Sequence, residues 1–170
     1  MKNISNLQLR SARQVLNFGV RDIASLLKVS KASVSKAELG KTRDFFFKHS
    51  APLLDFFLDK KIIFPNEYTI RLQHDAPDCY SSFESEYITR FQLKGARSII
   101  NISQHELAMG IDIDKNVISR AEIIENYKPI NPLNTNVISR LRDAFLAHGI
   151  EFPDPFSIFF KKYVDKASNY

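Results

Sequence analysis

The apolar positions of this chain recur three and four residues apart far more often than they alternate, so helices are predicted for most of it. Leu9, Ala12, Val15 and Leu16 make one stripe, and Ile23, Ala24, Leu26 and Leu27 make a second. Val34 with Ala37 to Leu39 supplies the inward face of a third helix, for which Ser30 is the N-cap and Gly40 the stop. Farther along, S-Q-H-E places Ser103 and Glu106 as a capping box, in which each side chain satisfies a backbone N–H of the first turn. Asp114 takes the N-cap place that Ser30 holds earlier. Two later helices are expected from about Ala51 to Lys60 and from Asn136 to His148, the second capped by Thr135. N-E-Y-T-I-R-L, from Asn66, is a candidate short strand. P-F-S-I-F-F-K-K-Y-V, from Pro155, reads as a terminal amphipathic helix.

These elements occur twice. At an offset of 84, residues 7–39 match 91–123 without a gap, with identities that include Gln8/Gln92, Ala12/Ala96, Arg13/Arg97, Asn17/Asn101, Lys31/Lys115, Ser35/Ser119 and Glu38/Glu122. At an offset of 88, D-F-F-L-D-K-K-I-I-F-P matches D-A-F-L-A-H-G-I-E-F-P, so the second copy holds four extra residues, expected around K-P-I-N-P-L-N. A duplicated unit of about 60 residues follows. The expected division is unit 1 over 1–65, a linker over 66–89 with the short strand, unit 2 over 90–154, and the tail over 155–170. The fold class expected is mainly α, with about five short helices in each unit.

Composition narrows the classes. At 170 residues, 44% hydrophobic and 25% charged, the chain is an ordinary globular one. No run of 18 apolar residues could span a membrane, and the start M-K-N-I-S-N-L lacks a signal-peptide core, so a cytoplasmic place is expected. The net charge of +5 is unevenly spread. Residues 1–64 hold 12 Lys/Arg against 5 Asp/Glu, while residues 65–170 hold 12 against 14. Leu7 to Phe64 alone is +6, whereas Phe91 to Pro153 balances 7 against 7. Such asymmetry points to a polyanionic partner for unit 1.

Two short helices joined by a tight turn, the second opening on a small capping residue and showing polar side chains, form a helix-turn-helix arrangement. The runs R-D-I-A-S-L-L-K-V-S-K-A-S-V-S-K-A-E-L-G-K-T and H-E-L-A-M-G-I-D-I-D-K-N-V-I-S-R-A-E-I resemble the lambda-repressor-like, XRE-type DNA-binding family. The resemblance covers both units. It implies that the helices after Ser30 and Asp114 enter the major groove, with Lys31, Ala32, Ser35 and Lys36 reading bases in unit 1 and Lys115, Asn116, Ser119 and Arg120 in unit 2. Lys and Arg can donate to guanine, and Asn pairs bidentately with adenine. Arg21 and Lys41 join this set, Lys41 as a phosphate contact, and Gln104 matches a phosphate-contacting position that Val20 vacates in unit 1. Arg13 with Glu38, and Arg97 with Glu122, match a buried ion pair between the first helix and the reading helix. Lys28 and Asp112 stand where the family's turn carries glycine, with Gly110 the candidate for a shifted turn glycine in unit 2. Asp112 and Asp114 bracket the entry to the second reading helix and would repel phosphates, so unit 1 is expected to be the stronger reader.

The function implied is a sequence-specific regulator of transcription on double-stranded DNA, of phage-repressor type, acting at the bacterial or phage nucleoid. Two unlike readers favour an asymmetric site. A flexible 24-residue linker would average about 27 Å and reach about 80 Å, against roughly 34 Å between successive groove faces. The alternative is an antitoxin-like interaction protein, in which unit 2 and residues 155–170 bind a partner or a second copy. The Phe clusters 45–47, 56–57 and 159–160 are assigned to the core, the last also to a dimer contact. No enzyme is expected, because no base or oxyanion donors surround a nucleophile. Cys79 and His74 are too few for a metal site, and no cofactor is implied.

Overall fold

A computed structural model of the chain describes residues 3–42, 44–74, 87–130 and 135–161. The first half holds α1 (Asn6–Val15), α2 (Val20–Leu27), α3 (Lys31–Glu38), α4 (Asp44–Asp59), β1 (Ile62–Ile63) and β2 (Thr69–Leu72). The second half repeats the order with α5 (Arg90–Ile100), α6 (Gln104–Gly110), α7 (Lys115–Ala121), α8 (Thr135–Ala147), β3 (Ile150–Glu151) and β4 (Ser157–Phe160). The fold is mainly α with one small antiparallel sheet. Each half has four helices and a β-hairpin among the described residues, where five helices were expected.

Local chemistry sets these limits. Ser5 and Gln8 form a capping box on α1, as Thr89 and Gln92 do on α5 and Ser103 and Glu106 on α6. Ser30 accepts from the Ser33 N–H and Asp114 from the Asn116 N–H. The capping role expected of the Thr135 side chain, the K-P-I-N-P-L-N insertion beyond residue 130, Cys79 and residues 162–170 lie outside the described residues. α4 begins at Asp44, about two turns before the expected Ala51, because Phe45 packs inward and the helix continues through Pro52. Three apolar positions expected inside face solvent instead: Leu26, Leu39 and Phe47, the last 76% exposed.

The tail departs most from expectation. Ser157–Phe160 is a strand rather than a helix, with Ser157, Ile158 and Phe160 all buried. A short apolar run covered on both faces lacks the period-2 alternation that would have marked it. β2 lies within the candidate strand. The four strands run in the order β1-β2-β4-β3, so the two hairpins join at their second strands. Thr69 faces Phe159, Ile70 faces Ile158, and Arg71 faces Ser157.

That register is symmetric about one pair of equivalent residues. In the 88-residue offset Ile70 corresponds to Ile158, and it pairs with it; Arg71 corresponds to Phe159, which faces Thr69. The helices follow the same rule, for α1 packs on α5 with the Ser11 hydroxyl donating to the carbonyl of Gly95, its equivalent, at 3.1 Å. The Ser98 hydroxyl likewise meets Oε1 of Gln14, its equivalent, at 3.0 Å. Mutual contact between equivalent positions is the signature of an isologous interface, so an approximate two-fold axis passes between α1 and α5 and between β2 and β4. The halves form one packed body with a shared core. Their spacing is therefore set by this contact and not by the reach of a tether.

Two buried glutamines fasten each hairpin to its helix. Gln8 Nε2 donates to the carbonyls of Asn66 and Thr69 at 2.7 and 3.0 Å, and Gln92 Nε2 to those of Asp154 and Ser157 at 2.7 and 3.3 Å. Gly95 permits the close approach of the halves. A Cβ there would lie 2.3 Å from Ile158 Cδ1 and 3.1 Å from Ser11 Oγ.

Candidate nucleic-acid interface

α3 is held from behind and open in front. Val34 and Ala37 are buried against the core, while Lys31, Ala32 and Lys36 are exposed and Ser35 is half-buried. At its inner end the Glu38 carboxylate accepts from Arg13 Nε at 2.6 Å and from the terminal guanidinium nitrogen at 2.8 Å. A third Arg13 bond, to the Phe18 carbonyl at 2.8 Å, ties the α1–α2 corner to the same cation. α7 repeats the arrangement. Arg97 contacts Glu122 at 2.7 and 2.8 Å and the Ile102 carbonyl at 2.8 Å, with Ile118 and Ala121 inward. Lys115, Asn116 and Arg120 are exposed and Ser119 half-buried, its hydroxyl bonded back to the Asn116 carbonyl. Both ion pairs matched in the sequence are thus present and buried.

The breaks before α3 and α7 share one geometry. Lys28 has φ 55° and Asp112 φ 53°, both left-handed. The next N–H closes the helix, Val29 onto the Ala24 carbonyl and Ile113 onto the Ala108 carbonyl, each at 3.0 Å. These are the two positions that carry no glycine in the sequence. Gly110 does not substitute, for it ends α6 in ordinary helical conformation. Asp112→Gly is therefore expected to stabilise the fold by about 0.5–1 kcal/mol. The left-handed penalty of about 1–2 kcal/mol outweighs the roughly 0.4–1 kcal/mol of chain entropy that glycine adds to the unfolded state. Urea denaturation would check this, and a lower midpoint would refute it.

Charge divides the two faces. Arg21, Lys28, Lys31, Lys36 and Lys41 are all exposed, and none of the ion pairs among the described residues involves them. Lys41 sits just past α3, its N–H closing on the Lys36 carbonyl at 2.9 Å after Gly40 at φ 69°. Around α7, exposed Asp112 and Asp114 accompany Lys115 and Arg120, so the local charges cancel. Gln104 is half-buried and its Nε2 donates to Glu122 at 2.9 Å. The Ser103 backbone N–H, at 2.6 Å, holds the Glu106 carboxyl below its ordinary range, aided by the Ser103 hydroxyl.

Several functional-looking side chains serve assembly instead. Arg10 donates to the Ile99 carbonyl at 2.6 Å, and Arg90 to the Val15 carbonyl at 2.6 Å, so each half caps the end of the other's first helix. Val15 and Ile99 are equivalent residues, whereas Arg10 and Arg90 are not, which is why the repeat did not disclose them. Arg90 also bonds Asn17 and Asn126, and Lys94 bonds Asn17. Burial pushes the Arg90 guanidinium and the Lys94 ammonium below their ordinary values, Lys94 also through the charge of Arg90. His74 stacks on Phe156, with ring centroids 5.4 Å apart, and lies against Tyr127. No group of three or more potential metal ligands occurs among the described residues. No helix among them is long and apolar enough to cross a membrane. Comparison with protein-family models, curated proteins and solved structures finds no match to this chain.

Proposed function

We propose that the chain is a sequence-specific double-stranded DNA-binding regulator of transcription, built from two helix-turn-helix units of the lambda-repressor-like kind, with unit 1 the stronger reader. The observation that carries this reading is the exposed face of α3. Lys31, Ala32, Ser35 and Lys36 project from a helix whose inner end is pinned by Arg13 and Glu38, and Arg21 on α2, Lys28 in the turn before α3 and Lys41 just past it are exposed without ion-pair partners among the described residues. A rigid polar helix within a field of unpaired cations suits base edges in front and phosphates at the sides. Lys115, Asn116, Ser119 and Arg120 form the second reader, which the nearby carboxylates weaken.

Lys36→Ala is expected to weaken binding to the preferred duplex by about 1–3 kcal/mol while leaving scrambled DNA little changed. Lys41→Ala should weaken both duplexes alike and reduce the salt slope by about one. Fluorescence anisotropy with competitor DNA across a salt series measures both. An equal loss on the two duplexes for Lys36→Ala would remove its base-reading role. A second reading, in which unit 2 meets a protein, is favoured by Met109 on α6 and Ile123 just past α7, which are 68% and 80% exposed. Met109→Ser with Ile123→Ser would then abolish capture of that partner and spare DNA binding.

A further inference from the structure

We infer that a single chain occupies an inverted pair of unlike half-sites, performing alone what otherwise takes a symmetric dimer. The inference rests on the DNA-binding reading above and adds the symmetry of the target and the number of chains upon it.

The axis between α1 and α5 and between β2 and β4 relates α3 to α7 by rotation. B-form DNA has local two-fold axes perpendicular to its length, and two readers related by rotation meet half-sites of opposite polarity. A direct repeat would require readers related by translation along the duplex. Two units on a loose tether could adopt either order. The paired strands and packed helices leave only the rotated one, and they fix the separation as well.

The half-sites must nevertheless differ in a defined way. Lys31 and Lys115 are equivalent and identical, as are Ser35 and Ser119, so those positions should select the same bases in both halves. Ala32 stands where Asn116 stands, and Lys36 where Arg120 stands. Alanine offers only apolar contact, suited to a thymine methyl, whereas asparagine suits adenine. The target is therefore an imperfect inverted repeat. Its stoichiometry is one chain, because the surface that would join two copies isologously is already filled within the chain, and the free sheet edges β1 and β3 are only two residues long.

In-vitro selection from random duplexes with the full chain, followed by native mass spectrometry of the winning complex, tests this. The expected result is an imperfect inverted repeat of one fixed spacing bound by one chain. Separating its halves by half a turn, about 5 base pairs, should weaken binding about tenfold or more. The variant A32N/K36R makes the α3 face resemble that of α7 and should convert the selected motif to a more symmetric repeat. A direct repeat, a lone half-site, tolerance of the half-turn insertion or two chains per repeat would overturn the inference while leaving DNA binding intact. Enrichment of no sequence, with no affinity for any duplex, would overturn the parent reading itself.

Discussion

Glu122→Ala is expected to cost about 3–5 kcal/mol of folding stability, since it leaves the buried Arg97 guanidinium without its carboxylate. The side chains of Arg97 and Glu122 are 10% and 3% exposed, so water cannot replace the lost partner fully. Gln104 Nε2 loses the same acceptor. Unit 1 has Val20 at that position, and Glu38→Ala should be milder by about 1 kcal/mol, within the range of a hydrogen bond to a charged group after allowance for partial exposure. Replacing both partners, as in Arg97→Met with Glu122→Leu, should recover most of the loss, because an apolar pair carries no desolvation cost. Chemical denaturation of the three variants would decide. A loss below about 1 kcal/mol for Glu122→Ala would show that the pair does not anchor α7.

The second large effect belongs to the axis. Ile158 is fully buried, faces Ile70 across the central strands and touches the space that Gly95 leaves open. Ile158→Ala should cost about 2–5 kcal/mol through lost burial and the cavity that remains. More telling is where the loss appears. With one shared core, denaturation should remain a single transition, and hydrogen exchange should quicken in α2 and α3 of the first half as much as in α6 and α7 of the second. Two separate transitions, with only the second half weakened, would mean that the halves fold independently.

Much of each half was legible in the sequence because it is local or repeated. The caps at Ser30, Ser103 and Asp114, which open α3, α6 and α7, follow from residue type at fixed spacing, and the Arg13–Glu38 and Arg97–Glu122 pairs were implied by the family resemblance. The strand at β2 was anticipated, but its partners and the second hairpin were hidden for a physical reason. β1 and β3 have two residues each, too few to show alternation, while the second strands T-I-R-L and S-I-F-F share only an aliphatic position. The packing of the halves left a fainter trace. Gln8 and Gln92 are identical yet lie on otherwise apolar faces, and each proves to hold two hairpin carbonyls. Ser11 and Gly95 are small at equivalent positions, and the helices cross there. Neither pair announces a partner surface in a single sequence, because small size and polarity are common on any helix.

The internal two-fold axis also loosens a constraint on variation. In a dimer of identical chains every substitution is felt twice, so the two readers can only change together. Here a substitution at Lys36 leaves Arg120 as it was, and on the proposed DNA-binding reading each half of a target can be followed by its own reader. Only the positions on the axis itself, Ser11 with Gly95, Gln14 with Ser98 and Ile70 with Ile158, remain bound to each other's company. The duplication thus keeps the geometry of a pair while giving its two members separate histories.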